Sequence, residues 1–375
     1  MSRKEDAFVS LYQDVSWSSD TVSSPDALWL DSETLALNKE IKSLDNLTRE
    51  GRTPLISSQV SGAVKPSGDI SYQPRPIDLN KILYSHFQCG TNFGGNISPG
   101  TTQYVPSKSN PTYDEIPPFD GGYGEGTGGV YSVSILKKYF NSNGTNSTYF
   151  KHGVCDSLEF NVESRSDLRV KASYKFRDYV SGTQIAGVPD SSLVGSYSTD
   201  TPWEGFHGTL LFDDQSIGLE SLLINTSNNF IEKSVVGRQN PENFTFGDFT
   251  AEGNFSMDFP RDGLAYVGSM IELKQFAISG TFLNGTNSLI FDMPHCLKMP
   301  FDVNLAKKVM MGIPFKAMEE DGTSPITIAL TGNFVSIDYL LDAYNGVRNL
   351  PDFIQYDGGS GARTLSEYTQ LDRDL

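Results

Sequence analysis

Two neighbouring His/Cys pairs in the 375-residue sequence could hold a metal: His152 with Cys155, and His295 with Cys296. Zinc takes four protein ligands, or three and a water. The two spacings differ, and neither cluster offers further ligands. Both cysteines therefore read as small buried thiols, with no metal site. His86 and His207 complete the histidines and make no close pair and no H-E-x-x-H. Gly124-Glu125-Gly126-Thr127-Gly128-Gly129 matches G-x-G-x-x-G on paper. It leads into the β pattern Val130 to Ile135, so no helix N-terminus would meet a pyrophosphate, and no G-K-[ST] follows. Ser360, within GGSGA, has no strand leading into it and makes no nucleophile elbow. Acids cluster at Asp213-Asp214 and at Glu319-Glu320-Asp321, the latter running into the turn signal Asp321-Gly322. Neither has calcium-loop spacing. Among 46 acidic residues some pair will always resemble a glycosidase couple, so that pattern carries no information. The expectation is a protein that is not an enzyme and needs no cofactor.

Strands must carry whatever this chain does. In 168–176, Leu168, Val170, Ala172, Tyr174 and Phe176 share one face, with Arg169, Lys171, Ser173 and Lys175 on the other. In 249–259, Phe249, Ala251, Gly253, Phe255, Met257 and Phe259 oppose Thr250, Glu252, Asn254, Ser256 and Asp258. In 157–163, Leu158, Phe160 and Val162 oppose Ser157, Glu159, Asn161 and Glu163. Period two of this kind marks strands with one face on a core and one in water. One helix is expected, opened by Pro76, with Leu79, Ile82, Leu83 and Phe87 as its apolar stripe. Residues 88–128 are rich in Gly and Pro, show no period, and read as one long loop.

Composition narrows the class. The chain has 35 Gly, 38% hydrophobic and 11% aromatic residues, as a turn-rich β protein would. Its formal net charge is −17, from 29 basic and 46 acidic residues. A binder that grips nucleic acid or an anionic membrane by charge is excluded, since phosphate contact needs clustered cations. MSRKEDAFVSLYQD has no apolar run of a secretory signal, and no stretch approaches a membrane span, so no membrane anchor is expected. Three cysteines, Cys89, Cys155 and Cys296, fit reduced thiols in a cytosol. The N-x-S/T triplets at Asn46, Asn143, Asn225, Asn254 and Asn284 are then chance matches.

The sequence repeats itself. HGVCDSLEFNVESRSDLRVKASYKF (152–176) resembles MPHCLKMPFDVNLAKKVMMGIPFKA (293–317), with Cys155 on Cys296, Phe160 on Phe301 and Tyr174 on Phe315. KPSGDISYQPRPIDLNKIL (65–83) resembles TAEGNFSMDFPRDGLAYVG (250–268), with Gly68 on Gly253 and Leu79 on Leu264. The order strand, Gly, strand, helix stripe, Cys-containing strand pair occurs twice, with a long loop in the first copy alone. The expected organisation is an N-terminal arm (1–19), a first module (20–195), a second (200–332) and a C-terminal extension (333–375). The fold class is mainly β: two tandem β-sandwich modules, each with a short flanking α-helix.

These residues carry a family resemblance. The G-x-[IF]-S strand before a short helix (Gly68 to Leu83, Gly253 to Val267), the pair from Gly153 to Phe176, and IPFKAMEEDGTSPITIAL (Ile313 to Leu330) make the chain similar to the tail tube protein, or major tail protein, of long-tailed bacteriophages, in the form with two tail tube modules. The match spans roughly 20–332, as a pattern of strands. It implies a structural virion protein of the phage tail, made in the host cytoplasm. Three chains would form a pseudo-hexameric ring, their modules closing into a barrel on oligomerisation. Rings would stack head-to-tail into a conduit for genome ejection, alongside other phage tail proteins, and genomic DNA would pass through without specific binding.

On that reading an acidic lining would repel the cargo over a Debye length of about 8–10 Å. The lumen candidates are Asp69, Glu159, Glu163, Glu252, Asp258 and Asp302. Alternation marks a wet face without saying whether it faces the bore or outside solvent. Arg169, Lys171 and Lys175 are expected on the exterior or against a neighbour. Tyr113, Phe119 and Tyr123, in the long loop, are candidates for ring contact. The alternatives are a carbohydrate- or receptor-binding β-sandwich of the tail and, behind it, a glycoside hydrolase.

Overall fold

Alternating apolar positions become strands wherever the pattern is clear. The structure is a computed structural model that describes residues 7–13, 26–28, 30–43, 59–87, 90–93, 100–106, 132–141, 144–164, 166–182, 196–197, 200–213, 215–216, 219–234, 236, 239–245, 247–258, 275–299, 303–304, 310–320, 323–332, 354–355 and 363–364. The first half contains β1 (Ala7–Gln13), β2 (Asp26–Ala27), β3 (Leu30–Glu33), β4 (Ala36–Ser43), β5 (Gln59–Tyr72), α1 (Pro76–Phe87), β6 (Gly90–Phe93), β7 (Gly100–Tyr104), β8 (Val133–Asn141), β9 (Gly144–Glu163), β10 (Arg169–Gly182) and β11 (Ser196–Tyr197). The second contains β12 (Gly208–Phe212), β13 (Gln215–Ser216), β14 (Leu219–Ser227), β15 (Ile231–Lys233), β16 (Asn243–Thr245), β17 (Thr250–Asp258), β18 (Gln275–Asn284), β19 (Asn287–Lys298), β20 (Val303–Asn304), β21 (Met310–Ala317) and β22 (Thr327–Gly332).

The protein is mainly β, and twenty strands join in one large, predominantly antiparallel sheet. Its spine runs β3/β4–β5–β10–β9–β14–β17–β21–β20. The expected alternation on β10 holds: Leu168, Val170, Ala172, Tyr174 and Phe176 are buried, while Arg169 and Lys171 are exposed. The long strands β9 and β10 carry a bulge between Ser173 and Tyr174, which bends a strand and sharpens its twist. Beyond it, β9 pairs with β8 and β8 with β1. In the other half, β19 pairs with β18 and β22, and β18 with β12.

Helix α1 spans the expected residues. Pro76 occupies a first-turn position that needs no N–H, and Asp78 Oδ1 accepts from the Arg75 N–H at 2.8 Å. Leu79, Ile82, Leu83 and Phe87 are fully buried in one core that also takes in Phe160, Phe291 and Ile328. That core runs through both halves of the chain. Phe160 meets Phe291 edge-on at 4.8 Å, so aromatic packing crosses the expected boundary near residue 200. The second helix stripe, Leu264 to Val267, lies outside the described residues.

The expected 88–128 loop is partly strand. β6 pairs with β7, and β7 pairs with β22, bringing Tyr104 opposite Ile328. Short polar strands of Thr, Gly, Gln and Asn carry little hydrophobic period, so only their partner reveals them. The Gly-rich motif 124–129 and the candidates Tyr113, Phe119 and Tyr123 lie outside the described residues.

Several strand pairings recur further along the chain. Leu30 pairs with Tyr72 and Ser32 with Ser71, around a bulge. Leu219 pairs with Met257 and Ser221 with Ser256, around a bulge in the same place. A shift of 189 carries Leu30 to Leu219, and 185 carries Tyr72 to Met257. Gly68 faces Tyr174 on β5·β10, and Gly253 faces Phe315 on β17·β21. The hairpin β8–β9 closes with Asn141 opposite Gly144, and β18–β19 with Asn284 opposite Asn287, each 143 residues on. Both hairpins bulge at the matching step, Val133/Ile135 and Phe276/Ile278. Finally, Phe160 pairs with Val170, as Val303 does with Met311.

This register corrects one sequence equivalence. Phe176 faces Gly153, and its counterpart Ala317 faces Cys296. Cys296 therefore matches Gly153, and Cys155 matches Lys298. This pairing differs by two residues from the sequence match of Cys155 with Cys296, and a shift of two keeps every side chain on its own face because strand period is two.

The conserved geometry has a local cause. A Cβ on Gly68, whose φ is +157°, would overlap the Thr34 carbonyl, and one on Gly253 would overlap the carbonyl of Leu223. Thr34 and Leu223 are themselves related by the shift of 189. Each glycine lets its neighbouring strand come close beside the bulge.

Candidate functional site

The face of the spine turned away from the core carries the polar residues that alternation placed there. One straight row crosses six strands: Ser71, Lys171, Glu159, Asn225, Glu252 and Lys316, each paired with the next. A second row sets Asp69 opposite Ser173 and Ser173 opposite Ser157. Asp69, Glu159, Glu163 and Glu252 thus belong to one face. Asp258 ends β17 opposite Met310, and Asp302 lies outside the described residues.

The cations share that face. Lys171 Nζ is 3.0 Å from Asp69 Oδ2, and Ser173 Oγ donates to Asp69 Oδ1 at 2.7 Å. The hydrogen bond that Lys171 donates to Asp69, then the Asp69 charge, raises the Lys171 pKa. Lys175 Nζ bonds Asp156 at 3.0 Å and donates to the Phe230 carbonyl at 2.7 Å. Arg169 lies 3.7 Å from Asp31. Sorting acids to one surface and bases to another therefore fails. Odd and even positions divide core from water, and within the wet set the cross-strand register interleaves the signs. A lone strand cannot reveal that register.

No protein-family model matches this chain, and no curated protein does.

Behind the face lies a buried polar knot that sequence reading missed. His86, at the last turn of α1, is fully buried. Its Nδ1 lies 3.0 Å from the Cys155 carbonyl and its Nε2 2.7 Å from Thr226 Oγ1. A neutral ring with its proton on Nδ1 donates to the first and accepts from the second. Asn228 Nδ2 donates to the carbonyls of His86 at 2.7 Å and Cys155 at 3.1 Å. Burial pushes the His86 pKa down to about 4, outweighing the Cys155 bond and the Asp156 charge. The knot ties α1 to β9 and to β14, across the two halves. No sequence signal marks it, because its hydrogen-bonded partners lie 69 to 142 positions apart.

The described residues contain no group of three or more His, Cys, Asp or Glu able to hold a metal. Cys155 and Cys296 are buried free thiols, as expected. Burial raises both pKa values, that of Cys296 to about 12. His295 Nδ1 contacts Glu320 Oε2 at 3.1 Å. Among the described residues no helix is long and apolar enough to cross a membrane.

Two strand borders complete the site. β3 and β4 pair with β5 alone, and β20 pairs with β21 alone, among the described residues. Thr34, Ala36 and Asn38 on the first border are exposed. An edge of unpaired backbone is a template for another strand.

Proposed function

We propose that this chain is a structural subunit of a bacteriophage tail tube, built from two copies of one β-sandwich module. What supports the reading is the like pairing of two sets of five strands, bulges included, within one sheet with two borders that lack a strand partner among the described residues. Two like modules side by side give each chain two similar steps around an axis. Three chains would close a pseudo-sixfold ring and remove the remaining borders in a barrel. Rings then stack head-to-tail, a contact that propagates because it does not close on itself. The resemblance of Gly68–Leu83, Gly153–Phe176 and Ile313–Leu330 to tail tube proteins points the same way.

The wet face suits a conduit for DNA. Lys171 and Lys175 are bonded to Asp69 and Asp156, which weakens their hold on phosphate. Interleaved signs leave a shallow field, and the chain's net −17 sets a repulsive background. The cargo passes without specific binding.

Electron microscopy of the purified chain tests this. Rings with a central hole, or hollow tubes, are the expected result. A strictly monomeric protein at high concentration would overturn the proposal. With Glu252→Lys, assembly should persist while DNA delivery by the virion falls; normal delivery would remove this face from the bore.

A further inference from the structure

The junction between the two halves is itself a strand pairing. Ile224 of β14 faces Phe160 of β9, and Leu223 faces Asn161. The strand registers relate β14 to β3/β4 by 189 residues and β9 to β19/β20 by 143. The counterparts of Ile224 and Leu223 are then Leu35 and Thr34. Those of Phe160 and Asn161 are Val303 and Asn304. These four residues occupy the two borders that end the spine. The surfaces paired once inside the chain recur at the two ends of the spine, without a strand partner among the described residues.

We infer that the β3/β4 border of one chain pairs antiparallel with the β20 border of a second copy, Leu35 opposite Val303 and Thr34 opposite Asn304, and that a Glu33–Lys137 ion pair latches this border in the lone chain. The inference rests on the tube reading and names the residues of its ring contact. The Thr34 N–H points inward, to the Asp69 carbonyl at 2.9 Å, so the Leu35 groups point outward. Each is held by a side chain. The Leu35 N–H donates to Glu33 Oε2 at 3.0 Å, and Lys137 Nζ donates to the Leu35 carbonyl at 3.2 Å. Glu33 and Lys137 close the clip at 2.5 Å. At the internal junction the counterpart of Lys137 is Gly280, and the neighbouring strand β9 pairs directly with Ile224. A clip of side chains shields an edge from wrong partners. The backbone of Val303 replaces it with a donor and an acceptor in fixed positions.

The test places Thr34→Cys and Asn304→Cys in the full chain. Flanking the hydrogen-bonded pair, they form a non-hydrogen-bonded pair with Cα atoms about 4.5 Å apart, within disulfide reach. Oxidised assemblies should yield chain-to-chain disulfides between positions 34 and 304, mapped by mass spectrometry. Assemblies that form without this cross-link overturn the pairing and leave the tube reading standing. Absence of any assembly overturns both. Lys137→Met, which keeps the stem and removes the ammonium, should lower the concentration for assembly about fivefold, the worth of roughly 1 kcal/mol. An unchanged or raised threshold overturns the latch.

Discussion

Phe160 sits directly across from Ile224 on the strand junction that joins the two halves, and its ring meets Phe291 of the second half edge-on at 4.8 Å. One side chain from the first half is thus packed by strands of the second. The two halves share a core, whatever their ancestry.

Phe160→Ala should cost about 3–5 kcal/mol, the range for an emptied aromatic site in a core. Because the core is shared, urea unfolding should remain a single transition by fluorescence and by circular dichroism. Two separated transitions in the parent chain would show that the halves fold independently.

Gly68→Ala and Gly253→Ala should each destabilise the chain, by about 1–3 kcal/mol, as overpacking does. Each added methyl meets a carbonyl of the neighbouring strand beside a bulge. Similar losses in urea melts are expected at the two positions. A neutral result at either would contradict the close approach there.

Acid should loosen the His86 knot. The ring's pKa is about 4 in the folded chain, against 6.5 for the free side chain. Above pH 6.5 both states hold it neutral and its contribution is complete. Between 6.5 and 4 the unfolded chain takes up a proton that the folded chain refuses, so stability falls as pH drops. The loss levels off below 4, at about 3 kcal/mol. Unfolding free energies for the parent and for His86→Gln should converge as pH falls through this window. Parallel curves would assign the acid sensitivity elsewhere.

Cys155 and Cys296 should resist thiol reagents at pH 8 in the folded chain and react once urea unfolds it. Burial raises both pKa values, and reaction needs an accessible thiolate. Peptide mapping after labelling identifies each site. Rapid native modification of either would mean that its strand opens readily.

Much was legible in the residues themselves. Side-chain alternation at Leu168–Phe176 and Leu158–Val162 states which face is buried, because strand geometry turns sequence parity into orientation. The stripe Leu79, Ile82, Leu83 and Phe87 does the same for α1. Tertiary structure decided what depends on neighbours. It set Lys171 beside Asp69 and Glu159, though alternation said only that all three were wet. It set Phe176 opposite Gly153 and Ala317 opposite Cys296, a register that alternation leaves open because a slip by two leaves every face unchanged. It gathered His86, Thr226 and Asn228 from distant positions, and it left Leu35 and Val303 at borders without a strand partner among the described residues. A strand's own sequence encodes which side meets water; which strand lies beside it is settled by the packing of the whole chain.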